Sequence, residues 1–299
     1  MTEGPTDAGW FERVERGDLD AARTAIETGS AESPADWPAR AVDAGFADDE
    51  DDYYDALHEA AVHATGATVR DRERADDQQL KHAIRAMDDA ARTANELAER
   101  VTEWAGSLFD AAGSGVDGAR AIAERDPADP TEARVVSLAE RVAALDDERA
   151  DLRAYVETHA PTVAPNLAEM AGPVLTARLI ALAGGLEPLA KMPAGTIQVL
   201  GAEEALFAHL RGHASSPKHG VIFTHEFVRG TRREDRGSAA RAFAAKLALA
   251  ARADHYAGER RERLHADLAE RMERIRARTD RADDQNGADD GGDAGGAGE

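Results

Sequence analysis

"LKHAIRAMDDAARTANELAERVTEWAGSLFDA", Leu80 to Ala111, decides the fold class of this 299-residue chain. Leu80, Ala83, Met87, Ala90, Ala94, Leu97, Val101, Trp104, Leu108 and Ala111 advance by alternating steps of three and four. That spacing returns side chains to one side of a helix every seven residues and defines a coiled-coil seam. The breaker "AAGSGVDGARAIAERDPADP" follows, and its glycines with Pro127 and Pro130 end or interrupt the helix. Beyond it Val135, Leu138, Val142, Leu145, Leu152 and Val156 repeat the spacing, with Arg149 and His159 as polar seam positions. Two heptad helices joined by a breaker predict a long antiparallel coiled-coil hairpin over residues 80–160, which can also pair two chains. A helical pair in an ordinary bundle is the plainer alternative.

Outward from the hairpin the composition changes. Residues 1–79 are mixed and are interrupted by "SPADWP" and "GFADDEDDYYD", which predicts a small α+β unit. Residues 161–278 are richer in apolar positions and predict a compact, mainly helical domain. Its strand-like pieces are "TIQVL" (Thr196–Leu200) and "GVIFTHEFV" (Gly220–Val228). Residues 279–299, "TDRADDQNGADDGGDAGGAGE", combine acid and glycine without apolar side chains and are expected to be a disordered acidic tail. The fold class is therefore mainly α.

Acidic residues outnumber basic ones by 58 to 36, for a formal net charge of −22, and only Lys81, Lys191, Lys218 and Lys246 are lysine. An acidic, lysine-poor surface keeps a protein hydrated in concentrated salt, where charge repulsion is screened within about 3 Å at 1 M. A salt-loving source is expected, and most of the acid then concerns solvent and says little of function. With no cysteine there is no disulfide framework and no thiolate nucleophile or metal site. The start "MTEGPTDAGW" lacks the basic and apolar regions of a signal peptide, and "GPVLTARLIALAGGL" is too short to span a bilayer. These features predict a soluble, cytoplasmic protein with no membrane partner.

Against this background "HGVIFTHEFVRGTRREDRG", His219 to Gly237, stands out. From His209 to Arg252 nine basic residues face three acidic ones. Arginine forks pair bidentately with phosphate and flat His and Phe side chains stack on unpaired bases, so RNA or another polyanion is the natural partner. The competing reading is a loop whose arginines pair with acidic helices of the same protein. His209, His213, His219 and His225 suggest a metal, but only His209 and His213 have ligand-like spacing and no carboxylate or cysteine completes the set, so no metal is expected. "HEAAVH", His58 to His63, has one residue too many for a zinc-protease helix. No phosphate-cradling glycine loop, dinucleotide fingerprint or nucleophile elbow occurs, which argues against an active site. In "GAEEALFAHLRG", Gly201 permits a tight turn into a helix whose first turn carries Glu203 and Glu204, with Leu206, Phe207 and Leu210 expected to face the core.

"APNLAEMAGPVLTARLIALAGGLEPLAKMPAGTIQVLGAEEALF", followed by "SPKHGVIF" and "RAFAAKLALAARAD", resembles the Nop domain from Pro165 to Tyr256. "MDDAARTANELAERVTEWAGSLF" and "VVSLAERVAALDDERADLRAYVE" resemble the two coiled-coil helices of the same family, so the resemblance runs from about 80 to 278. Residues 1–79 match by position and size only. The chain is similar to the archaeal scaffold proteins of box C/D small ribonucleoproteins.

The resemblance implies a non-catalytic scaffold. Its amino-terminal domain (1–79) would bind fibrillarin, the methyltransferase; its coiled coil (80–160) would pair two copies; its Nop domain (161–278) would grip a kink-turn guide RNA with a small ribosomal-protein-like partner. The assembly performs guide-directed 2′-O-methylation, with S-adenosylmethionine bound on fibrillarin and no cofactor on the scaffold. By position, Gly201, Ala202, Glu203, Ala205, Leu206 and Phe207 would lie at the joint RNA and protein-partner surface. Lys218, His219, Arg232, Arg233, Arg236, Arg241 and Lys246 fall in the stretch that approaches RNA. Met87, Leu97, Val101, Trp104, Val135, Leu138, Val142, Leu145 and Leu152 would carry the dimer seam. Many relatives place basic residues where this chain has Glu204 and Ala208, and an aromatic-His pair where it reads "FTH"; either His225 is the stacking residue displaced by one, or none is present. Two other readings remain at this level: a protein-only coiled-coil adaptor for an acidic partner, and a metal-dependent hydrolase built on the histidines.

Overall fold

The structure is a computed structural model that describes residues 9–31, 33–110 and 113–289. The chain divides into two compact units after Ala75. In the first, helices α1 (Leu19–Thr28), α2 (Trp37–Asp43) and α3 (Glu50–Arg74) each begin behind an aspartate, Asp18, Asp36 and Asp49, whose carboxylate accepts a first-turn amide. Among its described residues there is no strand, so the α+β expectation for this unit is corrected to all-α. Phe11, Tyr53, Ala41 and Ala47 are buried, and Trp10, Trp37, Phe46 and Leu57 pack on them. Trp10 Nε1 donates to the Tyr53 hydroxyl at 3.3 Å. These aromatics are core, whereas Tyr54 is exposed.

The second unit opens with α4 (Asp76–Ala105), α5 (Gly115–Ala123) and α6 (Pro130–Val163). Ala94 to Ala105 of α4 pack against Val135 to Val142 of α6, while Leu80 to Met87 share a core with Val156 and Ala160. The early half of one helix thus meets the late half of the other, and the pair is antiparallel. The breaker is not a plain loop: α5 forms inside it, and Ala119 and Ile122 close the core between α4 and α6. This third helix widens the buried stripe. Ala98 and Ala105 are fully buried, Leu97, Leu138, Leu145 and Leu152 are half-buried, and Trp104, assigned to the seam by spacing, is 42% exposed. Helix α4 stops at Ala105, so Leu108 packs from a turn, and Ala111 lies outside the described residues. Arg149 pairs with Asp146 at 2.7 Å, and His159 is exposed, stacked on Tyr155.

Among the described residues six short helices and two long ones follow: α7 (Pro165–Ala171), α8 (Pro173–Ala183), α9 (Leu186–Lys191), α10 (Ala194–Val199), α11 (Glu203–Leu210), α12 (Glu226–Arg229), α13 (Arg236–Tyr256) and α14 (Glu262–Asp289). Proline at the first position of α7 and α8, and glycines with positive φ at 172, 184 and 185, set these turns. Both strand-like runs are helical. "TIQVL" lies mostly in α10, and "GVIFTHEFV" forms a 3-10 turn, Val221–Thr224, and then α12. A short apolar run flanked by glycine has no period long enough to separate strand from buried helix, and here α13 supplies the apolar wall that α10 and α12 bury against. Helix α13, with Phe243 and Leu247 fully buried, is the axis of this core.

Two aspartates remote in sequence cap helices that lack a side-chain cap of their own. Asp254 of α13 accepts from the Asn166 and Leu167 amides at 2.9 and 3.0 Å, and from Asn166 Nδ2 at 2.6 Å, at the start of α7. Burial pushes the Asp254 carboxyl above its usual range, and these three donors oppose that shift. Asp77 of α4 accepts from the Leu186 amide at 2.8 Å, the start of α9. The carboxy-terminal segment departs from expectation too: α14 continues to Asp289, so residues 279–289 extend the helix, and 290–299 lie outside the described residues. Alternating arginine, alanine and acid favour helix when one end is anchored by the burial of Leu268, Met272 and Ile275. Among the described residues no helix is long and apolar enough to cross a membrane.

Candidate nucleic-acid interface

Helices α10 and α11 and the loop before α12 form one tied backbone unit. The Gly220 amide donates to Gln198 O at 2.8 Å, the Val221 amide to Leu200 O at 2.7 Å, and Gln198 Nε2 to Lys218 O at 2.7 Å. A Cβ at Gly220 would lie 2.1 Å from Leu200 O, so only glycine fits. Gly201 turns the chain at φ 82° and donates to Glu203 Oε1 at 2.7 Å as α11 begins.

Helix α11 buries nothing completely. Leu206 is half-buried, but Phe207 is 57% and Leu210 70% exposed, which corrects the expectation that both face the core. The helix caps its neighbour too sparsely to bury all three. Glu203 and Ala205 are exposed and Ala202 is half-buried beside them, so the helix offers an apolar tip and two carboxylates to whatever approaches.

The 3-10 turn, tied to Leu200 just before α11, carries an aromatic platform. His219 stacks on Phe223 with centroids 4.5 Å apart and planes within 18°, and the Arg236 guanidinium lies 5.3 Å from the Phe223 centroid. Burial, then the nearby positive charges of Arg236 and Lys218, push the His219 imidazole below its ordinary pKa, although a backbone hydrogen bond opposes the shift. His219 is thus held neutral and flat. Arg236 donates to Thr231 O at 3.1 Å and to Arg229 O at 3.3 Å, which folds the arginine loop back on the start of α13. Arg232, Arg233 and Lys218 are exposed around this platform.

His225 takes a different place from the one sequence assigned. Its Nδ1 accepts from the Phe227 amide at 3.1 Å, capping α12, and its ring lies 4.6 Å from buried Phe243 and 4.8 Å from Phe227. Burial pushes its imidazole pKa down. It caps α12 and packs in an aromatic cluster with Phe227 and Phe243. Lys246 is also committed, 2.8 Å from Asp267 of α14, whose carboxyl it holds below the usual range; Arg252 donates to Ala190 O at 3.1 Å.

Arg241 is exposed and lines a cleft of about 560 Å³ between α13 and α14 with Lys246, Arg271 and Arg274. The last two were missed by the sequence reading, which followed local charge density and stopped at Arg252. Their signal was position: Arg271 and Arg274 flank the buried set Leu268, Met272 and Ile275. Among the described residues no group of three or more histidines and carboxylates could hold a metal ion. His209 Nδ1 instead meets Ala214 O at 3.0 Å.

Arg236 over the stacked His219 and Phe223, with exposed arginines in the same loop, offers the chemistry that phosphate and unpaired bases use. The family model described as "Nop: snoRNA binding domain, fibrillarin" matches residues 119–276, more than half of the chain. The chain belongs to the Nop family. It is 51% identical over 142 residues to a NOP5 family protein of Methanocaldococcus jannaschii, covering 48% of this chain and 34% of that one. It is 40% identical over 144 residues to nucleolar protein 56 of Saccharomyces cerevisiae, covering 48% and 29%. The chain thus spans about a third of the length of these curated relatives. The solved fibrillarin/Nop5p complex contains a chain similar to it with a TM-score of 0.52 at 26% identity, covering 85% of this chain and 92% of that one.

Proposed function

We propose that the chain is a non-catalytic scaffold of a box C/D guide ribonucleoprotein, bridging a fibrillarin-like methyltransferase to a kink-turn RNA held with a ribosomal-protein-like partner. Guide-directed 2′-O-methylation of RNA is the outcome, with S-adenosylmethionine on the methyltransferase. The observation that carries the reading is Arg236 over the stacked His219 and Phe223, in an arginine-rich loop tied to α10, within a Nop-family chain. The loop would meet phosphate, the platform an unpaired base, and Phe207 and Leu210 the protein partner. The unit that ends at Ala75 is assigned to the methyltransferase, in keeping with the structural neighbour's occurrence in a fibrillarin/Nop5p complex, and the hairpin with exposed Trp104 to self-association. A haloarchaeal, cytoplasmic setting fits the charge of −22.

Replacing Arg232, Arg233 and Arg236 together by Glu tests this. Assembly with kink-turn RNA and the small partner is expected to be lost, because each contact reverses from attraction to repulsion. Unchanged assembly would instead support a protein-only adaptor that meets an acidic partner.

A further inference from the structure

We infer that the cleft between α13 and α14 is a second phosphodiester subsite, in which Arg271 and Arg274 carry the RNA backbone beyond the arginine loop. The inference rests on the scaffold reading and extends it to residues outside the loop. The cleft's floor is the α13 face from Ser238 through Ala242 and Ala245 to Leu249, and its far wall is α14. At 1.5 Å per residue that face runs about 16 Å from the end of α13 where the arginine loop joins it, so loop and cleft form one continuous track.

Charge in the cleft is arranged for a polyanion. Lys246 pairs with Asp267 at 2.8 Å and Arg274 with Glu270 at 3.6 Å. Both acids are largely exposed, so a phosphate can take over either cation while the carboxylate turns to solvent. Arg241 and Arg271 make no ion pair among the described residues. Two arginines without an acidic partner in one cleft give bidentate donors where a backbone would lie. The floor of alanines with Leu249 and Ile275 is apolar and shallow, which suits sugars and base edges. A protein partner is the less favoured occupant, because four cations line the cleft over a floor made largely of small side chains.

The test uses the full chain with its small partner and a kink-turn RNA bearing a single-stranded flank, with affinity followed against salt. The double variant Arg271→Gln with Arg274→Gln is expected to weaken binding severalfold and to reduce the salt slope by about 0.7 for each contact removed. The charge-preserving Arg271→Lys with Arg274→Lys keeps the slope, and RNA trimmed of its flank makes the Gln variant indistinguishable from the parent. A photoreactive flank cross-links to residues 263–274 of the unsubstituted protein. If slope and cross-link are both unaffected while the loop variant still abolishes assembly, the cleft is not an RNA subsite and the scaffold reading stands. If no complex forms even with the parent chain, both fall.

Discussion

At the residue scale, buried polar groups set where the short helices start. Asp254 satisfies two backbone amides and one side-chain amide that no local cap reaches, although burial raises its pKa. Replacing it with Ala leaves those donors unmet and is expected to cost about 2–4 kcal/mol, seen as a lower denaturation midpoint at unchanged slope. Gly220 is the second such residue: Ala there would drive a Cβ into the carbonyl of Leu200. Gly220→Ala is expected to detach the 3-10 turn from α10, lowering RNA affinity more than global stability; equal losses in both would contradict that division. These two residues also show the limit of sequence reading. The island's arginines were visible as charge density, but His225 was read as a stacking candidate because nothing local reveals that Phe243, eighteen positions away, closes over its ring.

At the element scale, heptad spacing alone located both long helices and their antiparallel return. It erred where α5 packs on the pair, since a third helix turns a narrow seam into a broad stripe and moves burial from Trp104 to Ala98 and Ala105. Helix α5 is fastened by Arg120, 2.8 Å from Asp146 of α6, with Arg149 on the same carboxylate at 2.7 Å. The hydrogen bond from Arg120, helped by Arg149, holds Asp146 below its usual range against the opposing effect of burial. A carboxyl whose pKa is depressed on folding stabilises the fold above the unfolded value, near 4, and loses that contribution as pH falls through the folded value. Asp146→Asn should therefore lower the melting temperature at pH 7 and flatten its decline as pH falls below about 4, measured by thermal melts from neutral to acid pH. A decline as steep as the parent's would refute the linkage. The strand-like runs failed for a related reason, since five or nine residues cannot declare a period and α13 decided their conformation.

At the scale of the whole molecule, the chain carries a formal net charge of −22, yet Arg241, Lys246, Arg271 and Arg274 line one cleft of the second unit. The amino-terminal unit offers an aromatic core instead of the strands expected of it, and Asp18, Asp36 and Asp49 were readable as helix starts in a sequence whose abundant aspartates hid them. Family membership follows from residues 119–276, and the proposed scaffold role assigns the methyltransferase to the amino-terminal unit. The direct test of that role is co-sedimentation, in high salt, of a fibrillarin-like methyltransferase with kink-turn RNA and the small ribosomal-protein-like partner, with and without the full chain. The account predicts that the methyltransferase travels with RNA only when the chain is present. An RNA complex that forms with the chain but leaves the methyltransferase behind would contradict it.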